Sequence, residues 1–399
     1  MIAFVVDSME RYYFARRLVN AVGKELDFLF ITSEPVAHVR LSLSGFRSIY
    51  LRKTGLLRSR PDECLAETRY DAAIEVLNGH VSMARARCDA AAISSSVSRA
   101  FRKFAVSQCV MWNGQQLLGR TISNVCERYG VKRKFLEISN LPDKLFVDSL
   151  GVNALSTISA DPAVIDALPM PGEGEHRRWL VAYERYKSRP LPQSQTLVSR
   201  KAVAVLNYAL KFATRGVART SLRTIRIRSS KAAHRQAQNV SLKDLSAQPY
   251  VFLPLQVSGD TQIKLHSDVN NVGAIEIASG LAAKEGIRLL VKLHPAENDA
   301  AMIAEIVRLQ NAYSFDLVAA PTTELIRHAQ MVVTINSTVG LEALLYGKTV
   351  VSLGRCFYKE FDQARLLKYI HSFLIDGIDY FGSGEISTLS ARNVFARAV

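Results

Sequence analysis

The stretch Met331-Val332-Val333-Thr334-Ile335-Asn336-Ser337-Thr338-Val339-Gly340-Leu341-Glu342-Ala343-Leu344-Leu345-Tyr346-Gly347-Lys348-Thr349-Val350-Val351-Ser352-Leu353 decides the fold class. An apolar run, Met331–Ile335, is followed by a small polar turn. A helical pattern covers Val339–Tyr346. A second β-branched run, Thr349–Leu353, comes next. Strand, short helix and strand in immediate succession form a βαβ unit, whose strands run parallel.

The same alternation extends upstream. Tyr250–Val257 is an apolar run, followed by a helical pattern over Val269–Glu285. Arg288–Leu293 reads as a strand, Asp299–Tyr313 as a helix, Phe315–Ala319 as a strand and Thr322–Ala329 as a short helix. The front half is similar but less regular. Ile2–Val6 is a buried strand, and Glu10–Val22 is a helix begun by Asp7-Ser8. Asp27–Ile31, Arg47–Leu51, Val110–Trp112 and Lys134–Ile138 are further strands, with a helix over Leu117–Tyr129. Residues 54–107 read as helices packing on the front sheet. The fold class expected is therefore α/β, with two Rossmann-like parallel-sheet domains. With two such sheets face to face, the cleft between them is the expected ligand site. The domain boundaries read as 1–180, a basic connecting segment 181–246, and 247–399.

The chain has 399 residues, 48% hydrophobic and 22% charged, which suits two or three globular domains. That apolar content excludes low-complexity disorder. No apolar run approaches the ~20 residues of a spanning helix. Met1–Val6 lacks a basic leader and runs into Asp7, so no signal peptide is expected. The five cysteines are scattered without a C-x-x-C. This argues against a disulfide framework or zinc site and fits a reducing cytoplasm. There is no P-loop, no G-x-G-x-x-G after a strand, no Asp-x-Asp metal clamp and no G-x-S-x-G elbow.

The formal net charge of +15 is uneven. From Arg185 to Lys243 there are fourteen Lys or Arg and no Asp or Glu. Apolar residues are interleaved, so the segment reads as basic amphipathic helix. It could be a solvated connector, a face for anionic lipid, or a nucleic-acid surface. No helix-turn-helix, RNP or zinc-finger pattern supports the last, and no nucleic-acid partner is expected.

Four segments carry candidate chemistry. Leu293-His294-Pro295 closes a buried strand. His294 there could hydrogen-bond a phosphate or sugar hydroxyl, or simply be satisfied by backbone. In Asn336-Ser337-Thr338-Val339-Gly340-Leu341-Glu342, Ser337 or Thr338 can cap a helix whose free N–H groups form an anion site. Glu342 could accept two ribose hydroxyls or be an ordinary first-turn acid. In Pro254-Leu255-Gln256-Val257-Ser258-Gly259-Asp260-Thr261-Gln262, the polar Gln256, Asp260 and Gln262 sit at a strand's carboxyl end. They suit sugar or acceptor recognition, or plain loop structure. In the front half, Glu137 lies in an apolar strand, where burial would raise its pKa and suit it to proton transfer. Asp148 ends a short apolar run before Gly151-Val152-Asn153. The two carboxylates could face one sugar, or serve as a strand-end bond and a turn cap.

Taken in order, these segments resemble the bacterial capsule polysaccharide biosynthesis transferases that move Kdo from CMP-Kdo. The resemblance rests on the Glu137 strand, Asp148-x-x-Gly151-Val152-Asn153, the Gln256/Asp260/Gln262 loop, His294-Pro295, the Asn336–Leu344 turn, and Leu353-Gly354-x-x-Phe357-Tyr358. It covers roughly residues 109–160 and 250–360. It implies a GT-B arrangement, with CMP held mainly by the back domain and His294, Ser337 and Thr338 near its phosphate. Asn336, Glu342, Gln256, Asp260 and Gln262 would complete the nucleotide-sugar site. A retaining reaction is implied, with Asp148 as covalent nucleophile, Glu137 assisting by acid–base work and Asn153 contacting sugar or acceptor. No cofactor or metal is expected, because the CMP-sugar is itself the substrate. The acceptor would be a glycan or glycolipid. The enzyme would sit in the cytoplasm, peripheral on the anionic inner face of the membrane. Two rival expectations are a transferase using a UDP- or CDP-activated donor, including a polyol-phosphate polymerase, and a non-catalytic GT-B-like scaffold.

Overall fold

The computed structural model describes residues 1–53, 68–139, 141–187, 198–219 and 242–397. The chain divides into two compact units, residues 1–221 with 367–399, and residues 222–366. The first unit holds strands β1 (Ile2–Val6), β2 (Phe28–Thr32), β3 (Arg47–Tyr50), β4 (Gln108–Trp112), β5 (Lys132–Ile138) and β6 (Lys144–Asp148). The second holds β7 (Tyr250–Pro254), β8 (Arg288–Lys292), β9 (Asp316–Leu317), β10 (Met331–Thr334) and β11 (Thr349–Ser352), and the chain's last strand, β12 (Ile375–Asp376), belongs to the first.

In the first unit the sheet order is β12-β6-β5-β4-β1-β2-β3. The strands β1 to β5 run parallel, while β6 is antiparallel to β5 and β12 antiparallel to β6. The strands β1 and β2 are buried throughout, as parallel strands covered on both faces must be. The helix Met9–Val22 buries Tyr12, Phe14, Ala15, Leu18, Val19 and Val22 against the sheet. Its Ser8 cap accepts the Arg11 N–H at 3.2 Å. A cap contributes about 1 kcal/mol, while each large apolar side chain fully buried contributes roughly 1.5–3 kcal/mol. Packing therefore dominates in holding this helix.

Two boundaries differ from the sequence reading. The second domain was expected to run from 247 to 399. Instead the chain after Leu366 joins the first unit, where Ile375 pairs with Leu145 and Asp376 with Lys144. The buried Lys144 ammonium meets Asp376 at 3.1 Å, and the helix Thr388–Ala396 adds Val394 and Phe395 to the core over β1 and β2. The segment 181–246 was expected to be a connector. Its described first part is built into the first unit: the helix Val198–Ala213 packs on the helix Pro35–Leu43. Buried Lys211 reaches buried Glu34 at 2.6 Å, and Asn207 also donates to that carboxylate. Residues 188–197 and 220–241 of that segment, and 54–67 of the expected front helices, lie outside the described residues. The helix Met83–Lys103 packs chiefly on the helix Leu117–Arg128, with Ala86 and Ala90 buried beside Leu117.

The second unit is a five-stranded parallel sheet in the order β9-β8-β7-β10-β11. The helices Asn271–Glu285 and Ala300–Tyr313 cover one face, through Ala274, Ile275, Ala278, Ile306 and Leu309. The helices Thr322–His328 and Thr338–Leu345 cover the other, through Leu325, Ile326 and Ala343. The alternation read from sequence is this layering. Both units share one parallel strand order, third-second-first-fourth-fifth, which is the doubly wound Rossmann arrangement.

Candidate functional site

A doubly wound sheet binds ligands where its strand order reverses, outside the carboxyl ends of its first and fourth strands. In the second unit those strands are β7 and β10. The loop after β7 carries Gln256, and the turn after β10 carries Asn336. The two side chains are joined across the switch point. The Gln256 amide donates to Asn336 Oδ1 at 3.1 Å and to Asp260 Oδ2 at 3.2 Å. Its oxygen accepts the Asn336 backbone N–H at 3.1 Å. The Asn336 amide in turn donates to the Gln262 carbonyl at 2.9 Å. Asp260 caps the short helix Thr261–His266 through the Gln262 N–H at 2.8 Å. Four of the residues expected at this site therefore form one bonded network.

The helix Thr338–Leu345 begins beside that network. Ser337, rather than Thr338, is its cap and accepts the Val339 N–H at 3.2 Å. The Ser337 carbonyl accepts the buried Tyr358 hydroxyl. Gly340 has no room for a side chain: a Cβ would lie 2.6 Å from the Tyr358 hydroxyl and 2.9 Å from Thr334 Cγ2. Ser337 and Thr338 are half-buried at the helix start, where the dipole favours an anion. Glu342 sits one turn in and is buried at 6% exposure. It is enclosed rather than presented for ribose.

His294 follows β8 and is exposed. Its Nδ1 accepts the Ala296 N–H at 3.0 Å, so a neutral ring carries its proton on Nε2. Glu297, which sequence reading passed over, fastens this loop to the one after β7. Buried at 4% exposure, it accepts Ser258 N–H at 2.6 Å and Ser258 Oγ at 3.2 Å, along with the N–H groups of Asn298 and Asp299. Asn271 braces the Gln256 backbone in the same manner, donating to its carbonyl at 2.7 Å. Glu297 lies three positions after the strand-end His294, a spacing legible in sequence, whereas Asn271 lies fifteen after Gln256 and carries no such signal.

The first unit reverses between β1 and β4, and the groups there are charged. The Arg11 guanidinium bonds Asp7 just past β1, donates to Gln116 Oε1 at 3.0 Å, and lies 4.9 Å over the Trp112 ring. The other Asp7 oxygen is buried and takes no hydrogen bond among the described residues. Glu137, near the end of β5, is half-buried. Burial raises its carboxyl pKa against the opposing pull of Arg11, the Ile138 N–H and Asn113. Glu75 is also raised by burial and accepts the Leu117 N–H at 2.9 Å. Gly114 closes this site with φ of 73°, its Cβ position only 2.5 Å from the Phe135 ring. A raised carboxyl beside a fixed guanidinium can exchange a proton while an anionic group is held. Sequence reading found Glu137 but missed Arg11 and Glu75, which come from separate elements.

Asp148 does not join Glu137. It is 1% exposed and pairs with Phe135 in the β5–β6 ladder. Both its oxygens are occupied by its own loop. Oδ1 accepts the Leu150 and Gly151 N–H groups at 2.8 and 3.2 Å. Oδ2 accepts the Thr157 N–H at 2.9 Å and its hydroxyl at 2.5 Å. Ser149 and Leu150 lie beside Gln108 and Lys132, at the starts of β4 and β5. The expected nucleophile is thus a loop clamp at the wrong edge of the sheet, with no oxygen presented for attack. Asn153 belongs to that loop, in the left-handed region at φ 52°. Its carbonyl accepts the Ser156 hydroxyl at 2.6 Å. Among the described residues, no cluster of three or more His, Cys, Asp or Glu is placed to hold a metal ion.

The fold and these two switch points define a class: a doubly wound α/β protein with two Rossmann-like units, each polar at its reversal point. Residues 129–361 match the profile of the capsule polysaccharide biosynthesis protein family, and the chain belongs to that family. It is 32% identical over 121 residues to the capsule polysaccharide export protein KpsS of Escherichia coli, across 28% of this chain and 31% of that protein. It is 36% identical over 113 residues to protein FixF of Sinorhizobium fredii, across 27% of each. The matched stretches thus span about a third or less of those relatives. Among solved structures, KpsC of Thermosulfurimonas dismutans, a beta Kdo 2,7 transferase, is similar at 15% identity and a TM-score of 0.41, covering 75% of this chain and 87% of that one.

Proposed function

We propose that the protein is a glycosyltransferase of capsule or related surface-polysaccharide assembly. In this reading it moves Kdo from CMP-Kdo to a glycan or glycolipid acceptor. The observation that carries it is the Gln256–Asn336 bridge at the second unit's switch point, next to the start of the helix Thr338–Leu345. Membership of the capsule family supports the process, and the motif resemblance supports the donor.

The division of labour follows from the chemistry of each site. The second unit holds the nucleotide: its amides offer donors and acceptors to a base or ribose, and the helix start takes the phosphate. Helix dipole and N–H groups stabilise the charge that develops on departing CMP. His294, with Nε2–H outward from its Nδ1 bond, adds a donor. In the first unit, Glu137 takes the proton of the acceptor hydroxyl, its raised pKa matched to that task. Arg11 holds an anionic group of the sugar and keeps Glu137 ionisable. No helix among the described residues is long and apolar enough to cross a membrane. The basic segment brings the protein to the anionic inner face of the cytoplasmic membrane, where a lipid-linked acceptor lies.

A thermal-shift titration with CMP, UMP, UDP and CDP, with and without magnesium, tests the nucleotide, and CMP release from CMP-Kdo tests the reaction. Stabilisation by CMP is the expected result. Stabilisation by UDP or CDP alone would move the donor to a different class, and silence from all four would leave a scaffold.

A further inference from the structure

The helix Val198–Ala213 is mounted the unusual way round. Its polar side faces inward. Asn207 and Lys211, one turn apart, bond the buried Glu34 carboxylate. Thr214 beyond them shares a 2.6 Å hydrogen bond with the Tyr50 hydroxyl. Its outward side is apolar. Val205 is 71% exposed, Phe212 63%, Leu206 55% and Leu210 38%. Ala202, Ala209 and Ala213 are exposed with them. Positions 202, 205, 206, 209, 212 and 213 follow the spacing of a single helix face. Surface helices ordinarily turn such a stripe to the core, and a contiguous apolar patch left in water marks a binding surface.

The exposed charges named beside the stripe are cationic, while the nearby acids Glu34 and Asp89 are buried and paired. Arg215 is exposed just past the helix. The Arg219 guanidinium lies 4.9 Å over the Phe212 ring, and exposed Arg52 bridges to Gly216 beside it. From Arg185 to Lys243 the sequence has no Asp or Glu. An apolar stripe flanked by exposed cations complements a surface that is apolar beneath and anionic above.

We propose that the face formed by Val205, Leu206, Leu210 and Phe212 inserts into an anionic lipid bilayer at the headgroup boundary. The proposal rests on the membrane placement above and adds the surface and the manner of contact. The Glu34–Lys211 pair holds the helix rigidly on the first unit, so insertion orients that unit on the membrane. In that placement the Arg219 guanidinium, packed over the Phe212 ring, lies at headgroup level beside the lipid phosphates.

Flotation of the full chain with vesicles of phosphatidylcholine, alone or with phosphatidylglycerol, tests this. The double variant Val205→Ser/Phe212→Ser removes apolar surface without changing charge. Leu389→Ser, at a residue 70% exposed on the helix Thr388–Ala396, is the surface control. The wild type and Leu389→Ser should float with the anionic vesicles. The double variant should partition at least about tenfold less, with an unchanged melting point, since both residues are exposed. Equal flotation of the double variant would overturn insertion and leave adsorption by charge alone. Absence of wild-type flotation would overturn the membrane placement together with the insertion. If the double variant instead abolished a wild-type dimer without affecting flotation, the face would be a contact between copies and the proposal would fail.

Discussion

The two switch points differ in chemistry although their strand orders agree. That of the second unit is built from amides, hydroxyls, a helix start and the capping Asp260 carboxylate, with Gln256 and Asn336 bonded side chain to side chain. That of the first is built from charge, with Arg11 between Asp7 and the raised Glu137. A saturated network of amides, fixed by the Asp260 carboxylate, is held in place, which suits holding a nucleotide. A half-buried carboxyl opposed by a guanidinium has a tunable proton, which suits reaction. On the proposed function, one architecture, used twice, separates binding from chemistry by the residue types gathered around its two switch points.

The sharpest way to break this comparison is Glu137→Gln. On the proposed role, CMP-Kdo turnover should fall by about 10²–10⁴-fold, while CMP still raises the melting point. The same variant tests the pH linkage. Glu137 has a folded pKa above its unfolded value, so the native state binds more protons between the two. The stability this contributes is present at low pH and lost as pH rises through the folded pKa. Glu137→Gln should abolish that loss in pH-dependent melts, and full turnover in the variant would remove the first unit's assigned role.

Asp148→Ala should act on stability. It leaves four loop donors without their acceptor, at a cost on the order of 3 kcal/mol. Denaturant titration measures this. A stable Asp148→Ala protein that had lost only turnover would return Asp148 to the chemistry.

In the second unit, Asn336→Ala removes an acceptor from Gln256 and a donor from the Gln262 carbonyl. A cost of about 1–3 kcal/mol in stability is expected, with loss of the thermal shift by CMP and an unchanged pH profile. A changed pH profile would show that the two switch points do not divide their tasks.

The smallest effect concerns His371, away from both switch points. Burial, with Lys144 nearby, lowers its pKa to about 4. Its ring meets His176 at 3.1 Å and Trp179 edge-on. The unfolded chain then binds the extra proton, and stability falls as pH drops from about 6.5 toward 4. Melts of His371→Phe should show a smaller acid-side loss, with no change in CMP binding.

The sequence disclosed these regions unequally, for physical reasons. The second unit was legible because each strand is followed directly by its own polar turn and helix, so Gln256 and Asn336 stand in contiguous motifs. Arg11 and Glu75 were hidden because each looks like an ordinary helix residue, and only the fold brings Arg11 near Glu137 and both Arg11 and Glu75 near Asp7. Asp148 misled because a carboxylate at a strand end before glycine reads the same whether it caps a loop or faces a substrate. The return of residues 367–399 was invisible because β12 is two residues long and carries no periodic signal. The buried Lys211 could not be told from its solvated basic neighbours without its partner Glu34, far away in sequence.

The central claim is that the second unit's switch point binds the nucleotide of a CMP-sugar. Thermal shift by CMP, measured side by side in the wild type and Asn336→Ala, tests it most directly. CMP should raise the wild-type melting point and leave that of the variant unmoved. An equal shift in both proteins, or a wild-type response to UDP or CDP but none to CMP, would contradict it.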